Sequence, residues 1–516
     1  MRGSLVVVLS IVLALASSSH AADVSFFQQF ANFCKSLFFA TPANLPEWGK
    51  ARVQQAKERM EAGFRSTDGK IKGATKAAAI DPKGEYNGLW VRDNAINFKE
   101  VADQPDIEEA YLEFCRLNLA TPTRGGLGEP KFNADGTAFN DDWGRPQNDG
   151  PAYRALRVME HFERKLSIGR LHEVRIGYEP NLEVLSVKWD LEYLAHHWWK
   201  PSYDLWEEEM GTHFHTLILM ADALEKGAKL AARFEPGGEA NAASAMYREQ
   251  AKRIREKILA EAWDPNGRFL KAVWKHDGGF VEKKEPLDIA VILGLLHTTM
   301  DPPLLRLSDE RVLATMAKLE ERFSEIYRFN RRFDDPRFRG VAALGRYTED
   351  IFHGGNPWVI ATQGGAEYYY RLGKEFAEGG EIAVTDLNRK FFSRLLPNAV
   401  GKARLREGQK IVKGTKAFDE IIQALKEKGD GYLEIVRSVT PPDGFHAEQI
   451  ARGYEPGDQG PWVAKYLAQI GSDGTRGDPG GRWIGAQLLV WNEASFRSAW
   501  RAREEFGTRV KARRGR

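Results

Sequence analysis

The sequence predicts an all-α fold, and three observations carry that prediction. Segment after segment spaces its apolar residues three and four apart with charges opposite, the pattern of a helix buried on one face. No run of alternating apolar and polar residues stands out as a set of strands. The segments are joined by long connections dense in Gly and Pro, of which the chain has 49 and 23, residues that break regular elements. About a dozen such helices fit a toroid of helix hairpins. Spacing alone does not separate a toroid from an α-solenoid. No repeat of 20–50 residues is visible, which weighs against helical-repeat arrays.

The bulk numbers narrow the function classes. With 516 residues, 42% hydrophobic and 11% aromatic, the chain can bury one large core or two ordinary ones. Lys plus Arg is 74 against 72 for Asp plus Glu, a net charge of +2, so no strong field favours nucleic acid or a membrane surface. Fourteen tryptophans is a high count; their default place is the core, and their faces are also platforms for sugar rings. The only cysteines are Cys34 and Cys115, and one disulfide or two free thiols both stay open.

In chain order, residues 1–21 read as a secretory signal. Arg2 starts it, the run 5–16 is apolar except for Ser10 and too short to span a bilayer, and Ser19-His20-Ala21 ends it with small residues where cleavage needs them. This predicts a secreted or periplasmic protein with no membrane attachment after cleavage; an uncleaved anchor is the alternative. The extension 22–44 places Phe26, Phe30, Phe33 and Leu37 at helical spacing over 24–39, and 47–63 reads as a helix with Val53, Ala56 and Met60 on one side. Further helices are predicted over 152–166, 187–199, 213–234, 242–259, 287–297, 357–372, 386–396, 417–428, 462–470 and 494–506. Pro151 is expected to open one of them, and Asn356 with Pro357 to cap and open another. The tail from 508 to 516 is basic and predicted to be unstructured.

Two acidic sites suggest chemistry. In Tyr203-Asp204-Leu205-Trp206-Glu207-Glu208-Glu209, a tryptophan adjoins three carboxylates. An apolar neighbour and like charges raise a carboxyl pKa, which keeps a general acid protonated. The plainer reading is an acidic first turn of a helix, suited to its dipole. Far along the chain, Phe445-His446-Ala447-Glu448-Gln449 supplies a second acid. Glycoside hydrolysis needs two carboxyl groups flanking one bond, and they need not be neighbours in sequence. His196-His197 and His213-x-His215 lack zinc-site spacing, and the Gly-rich stretch 471–481 lacks the Lys-Ser/Thr ending of a phosphate loop. No metal and no cofactor is predicted.

At this point the wording resembles a family. Asp204-Leu205-Trp206-Glu207-Glu208 is similar to the acid-bearing segment of glucoamylases, glycoside hydrolase family 15, inverting enzymes that take glucose from non-reducing ends of starch chains. His446-Ala447-Glu448-Gln449 resembles that family's base segment. Other segments resemble other parts of the family's sequence: Tyr86…Trp90-Val91-Arg92-Asp93, the loop words 129–133 and 143–151, Gly345-Arg346-Tyr347-Thr348-Glu349-Asp350 with Asn356-Pro357-Trp358, and the final helix start 489–496. The stretch 480–487 departs from the family wording.

The resemblance implies an (α/α)6 barrel over 45–507 with a pocket built by loops at one end. It implies Glu207 as general acid and Glu448 as general base. Arg92 and Asp93 would hydrogen-bond the terminal glucose, Tyr86 would lie beside its ring, Trp143 would overhang the site and Trp206 would line it. Glu208 would hold the next sugar, Arg346 would donate to sugar hydroxyls with Asp350 behind it, and Trp358 would stack or pack there. His446 would support the base. Glu209 is an addition to the family wording and is expected to be solvated. The implied partner is an α-glucan or maltooligosaccharide, α-1,4-linked with α-1,6 also open, acted on by a monomer. An isomaltose-, dextran- or trehalose-cleaving enzyme, or a non-catalytic sugar-binding protein on the same fold, are the alternatives.

Overall fold

The structure is a computed structural model and describes residues 44–66, 71–80, 84–178, 186–331, 341–396, 406–441, 443–452 and 483–514. The predicted signal, the 24–39 helix, Cys34, the 462–470 helix and the Gly-rich stretch lie outside the described residues. The chain divides into two compact units, residues 1–51 and 52–516, and the helix ring belongs to the second.

The described helices, in order, are α1 (Leu45–Arg65, which begins in the first unit), α2 (Val91–Lys99), α3 (Pro105–Ala120), α4 (Asp149–Ser167), α5 (Leu171–Tyr178), α6 (Val187–His197) and α7 (Phe214–Phe234). Then come α8 (Ala242–Glu261), α9 (Ala290–His297), α10 (Glu310–Ile326), α11 (Val359–Gly379), α12 (Arg389–Leu395), α13 (Lys416–Val439) and α14 (Val490–Arg514). Six of them close a ring: α2 packs on α4, α4 on α7, α7 on α9, α9 on α11, α11 on α14, and α14 returns to α2. Around it, α3 backs α2, α6 backs α4 and α7, α8 backs α7, and α13 backs α11 and α14. This is a toroid of hairpins, inner helix then outer helix, an (α/α)6 barrel.

Composition sorts the layers. Inner helices are covered on all sides, so they lack a polar face: α9 buries every residue from Ala290 to Leu296, and α2 every residue from Val91 to Phe98. Outer helices keep the stripe, as α8 buries Ala243, Tyr247, Ala251, Ile254 and Ile258 and exposes charges between them. Where α13 crosses α11, a Cβ on Gly429 would sit 2.5 Å from the ring of Tyr370, so only glycine allows that approach.

Several expectations change. Helices α2, α3, α5 and α10 fall outside the predicted stretches; α2 in particular offers no amphipathic signal because it is wholly inner. The helix predicted over 152–166 starts at Asp149, so Pro151 is its third residue and does not open it. Asn356 does not cap α11, whose cap position is Trp358; its amide instead donates to the His353 carbonyl and to Gln449, each at 2.8 Å. Helix α14 continues through the expected tail to Arg514; Lys and Arg are good helix formers and suit a C-terminal turn. Strands exist but are short, the largest sheet joining Ser202–Tyr203, Glu209–His213 and Val273–Gly279.

Candidate active site

Because inner and outer helices alternate, the six inner ones run the same way and begin at one end of the ring. A cavity of about 810 Å³ opens there. It is lined by the start of α2 (Trp90, Arg92, Asp93), the start of α14 (Leu489, Trp491) and the segments that lead into inner helices (Trp143; Trp206, Glu207, Glu208; Arg346, Trp358), with Tyr86 and Glu448. Helix N-termini carry partial positive charge, which suits a pocket rich in carboxylates.

The segment before α7 folds on Asp204. Its carboxylate accepts from the backbone N–H groups of Glu208 (2.9 Å) and Glu209 (3.1 Å), and its carbonyl accepts from the N–H of Glu207 at 3.0 Å. The turn forces Glu207 to φ 67°, a left-handed conformation that costs energy for any residue but glycine and is typical of functional sites. Lys283 locks the turn from beneath: its buried ammonium bonds Asp204 at 2.6 Å and Asp288 at 2.9 Å. Burial presses the Asp204 carboxyl up, but Lys283 and His213 outweigh it and hold it below the ordinary carboxylate range. Trp206 is fixed through its indole N–H, which donates to Asp288 at 3.0 Å.

The three glutamates part company. Glu207 faces the cavity and accepts from Arg92 Nη2 at 2.9 Å and from the Trp143 indole N–H. Glu208 is gripped by Arg346 at 2.8 Å and by the Tyr347 hydroxyl at 2.7 Å, while burial raises its pKa. Glu209 is not solvated as expected: it is 1% exposed, in strand Glu209–His213, and accepts from His276 Nδ1 at 3.1 Å. Strand alternation explains this, since Glu209 points to the inner face of the sheet.

Glu448 sits across the site, 2% exposed. Its N–H donates to the Ala486 carbonyl at 2.9 Å and its carbonyl accepts from Val359 N–H at 3.1 Å. The Tyr86 hydroxyl donates to Oε1 at 2.7 Å and the Gln449 amide to Oε2 at 3.1 Å. Gly485, at φ 79°, lets the chain pass; a Cβ there would lie 2.2 Å from Glu448 Oε2. Burial raises the Glu448 pKa to about 7, against the hydrogen bond from Tyr86 and the charge of Arg346.

Arg92, Asp93 and Arg346 line the same cavity. Burial lifts Asp93 to about 7 despite Arg92, and its Oδ2 has no hydrogen-bond partner. Arg92 Nε lies 3.5 Å from that oxygen, an ion pair that leaves it able to accept a further hydrogen bond. Arg92 is braced by Gln147 at 3.0 Å and Asp149 at 3.3 Å. Arg346 is held by Asp350 at 2.7 and 2.8 Å, and its guanidinium lies 4.8 Å from the centre of the Trp358 ring.

Ten of the residues singled out from sequence (Tyr86, Arg92, Asp93, Trp143, Trp206, Glu207, Glu208, Arg346, Trp358 and Glu448) line this one cavity; Asp350 stands behind Arg346, and His446 is buried beside Glu493, 3.3 Å away. Sequence reasoning missed Lys131, whose ammonium lies 4.5 Å from the centre of the Trp90 ring, 4.0 Å from Phe139 and 3.2 Å from Trp143. Burial lowers its pKa to about 8. It also missed Tyr347, Asp288 and Lys283. Lys283 stands in a Glu-Lys-Lys-Glu run that reads as solvated charge, so no local signal marks it.

A ring of helix hairpins with carboxylates, guanidinium groups and aromatic rings gathered in a cavity at one mouth fits a glycoside hydrolase on the (α/α)6 barrel. The chain belongs to glycosyl hydrolases family 15, whose model matches residues 58–499. It is 28% identical over 461 residues to a glucoamylase of Blastobotrys adeninivorans, covering 85% of this chain and 68% of that protein. It is 30% identical over 395 residues to a probable glucoamylase of Schizosaccharomyces pombe, covering 72% and 78%. The solved glucoamylase of Hypocrea jecorina superposes with a TM-score of 0.74 at 24% identity, over 90% of this chain and 73% of that one, a likeness of fold.

Proposed function

We propose that the protein is an exo-acting, inverting hydrolase that releases β-D-glucose from the non-reducing ends of α-1,4-linked glucans and maltooligosaccharides. The observation that carries this is the placing of Glu207 and Glu448 in one pocket with Arg92, Asp93 and Arg346. In the reaction, a water oxygen attacks C1 while Glu448 takes its proton. The C1–O bond breaks, and Glu207 gives a proton to the leaving oxygen. Inversion requires the two carboxyls about 6.5–9.5 Å apart, with the water between. Arg92 Nη2 donates to Glu207 at 2.9 Å and so fixes where that carboxyl faces the glycosidic oxygen.

A single early time point tests the outcome. Maltose, maltotriose, isomaltose and trehalose are incubated with the protein, and the anomeric proton of released glucose is followed by NMR in the first minutes. Early β-glucose from maltose and maltotriose is expected; early α-glucose would sink the inverting scheme. Preference for isomaltose or trehalose would move the linkage.

The raised pKa of Glu448 favours a second reading with the two roles exchanged. α-Glucosyl fluoride separates them, since fluoride leaves with little protonation. Under the first assignment Glu207→Gln regains activity on the fluoride and Glu448→Gln does not; the opposite pattern exchanges the roles. Export follows from residues 1–21 as part of the same proposal, and N-terminal sequencing of protein from the medium, expected to start at Ala22, tests it.

A further inference from the structure

We propose that the far side of the helix ring holds a site for one small inorganic anion, bound by Lys99, Arg157 and Arg371. Five inner helices meet there around a small cavity: α2 brings Lys99, α4 Tyr153 and Arg157, α9 His297, α11 Arg371 and α14 Ser498. Lys99 and Arg157 each lie eight residues beyond the first residue of their helix. At 1.5 Å per residue that is about 12 Å down the ring from the active-site end. The cavity's free volume is about 30 Å³, room for a water molecule or a monatomic ion.

The charges around it do not balance. Arg371 is used by the Leu296 carbonyl at 2.9 Å and by Glu367, which also accepts from Ser498 at 2.9 Å. Arg157 pairs with Glu160 at 2.8 Å through one terminal nitrogen, and its buried Nε has no partner. Glu100, the other acid on the lining, is occupied by Arg501 at 2.7 and 2.8 Å. Lys99 has no hydrogen bond and no ion pair among the described residues. It ends α2, yet no carbonyl of that helix takes its ammonium. His297 adds no charge, because burial and the cations around it hold its pKa well below the ordinary value. Burial and Arg157 likewise press Lys99 down to about 8.

Lys99 is partly exposed, but the Arg157 Nε is buried without an acceptor, and three cations on one small cavity repel each other. One anion in that space gives each an acceptor and offsets the like-charge repulsion. The site is separate from the sugar pocket and has no part in the proposed hydrolysis.

The test compares salts on the intact protein. Wild type and Lys99→Gln are melted in sodium chloride and in sodium phosphate, each titrated against sodium gluconate at constant ionic strength; gluconate is too large to enter. Binding to the folded state alone raises Tm with concentration. We expect a saturable rise of a few degrees in wild type with chloride, and none in Lys99→Gln. In gluconate the variant should melt no lower than wild type, having lost an unpaired charge. A response to phosphate alone counts against the site, whose cavity has room for a monatomic ion only. Equal Tm for wild type in all three salts, or an undiminished response in the variant, would overturn it. Wild-type crystals soaked in sodium bromide need no variant: an anomalous peak beside Lys99 supports the site, and an empty cavity counts against it.

Discussion

At the scale of single residues, the two carboxylates are held in opposite ways. Glu207 hangs on a strained turn and touches two donors, whereas Glu448 is packed into the wall with its carboxyl at about 7. Replacing either with Gln should lower kcat about 10²–10⁴-fold and leave the far-UV circular dichroism unchanged. If Glu448 is the base, kcat/KM should climb with pH through about 7, where it ionises. Tyr86→Phe removes a hydrogen bond that favours the ionised form, so this limb should move to higher pH in rate profiles. Stability carries the opposite sign. A carboxyl raised from 4.5 to about 7 keeps its proton when folded and loses it when unfolded within that window. Its contribution is therefore fully present below about 4.5 and lost as pH rises to about 7. Urea midpoints at pH 5 and pH 7 should show a smaller fall for Glu448→Gln than for wild type.

At the scale of elements, the site depends on parts that never touch a sugar. Lys283 sits between Asp204 and Asp288 with 2% of its side chain exposed. Lys283→Met leaves two buried carboxylates unpaired and should cost about 3–5 kcal/mol in urea unfolding. Gly485→Ala puts a methyl group against Glu448 Oε2 and asks alanine for a positive φ. We expect most activity to be lost with the helix content kept. These supports were the least legible part of the sequence. Short words with unusual residue combinations, such as Trp-Glu-Glu or Arg-Tyr-x-Glu-Asp, announce themselves. A lysine in a charge run acquires its meaning from residues brought to it by folding. Helix α2 was hidden for a related reason, since periodicity detects a boundary between core and water and α2 has no face to water. Glu209 misled because the third acid of a run looks like surface until the strand direction is known.

At the scale of the whole molecule, closure of the ring is the decisive property, and spacing alone did not reveal it; a solenoid would show the same helices. The six-fold count came from the family resemblance, and the contact of α14 with α2 is where the chain realises it. Removing α14 should therefore abolish cooperative unfolding and not merely lower its midpoint, because both α2 and α11 lose a covering neighbour. A truncation ending at Leu489, followed by circular dichroism in urea, checks this. The alternation of inner and outer helices has one more consequence. The described segments that carry Trp143, Glu207 and Arg346 to the mouth of the ring are connectors between helices already fixed by their own packing. Such a connector can lengthen, shorten or change its side chains while the wall behind it stays the same. The barrel is thus a frame that carries separately supported fingers, and a change in one finger should reshape the pocket while the helices stay as they are.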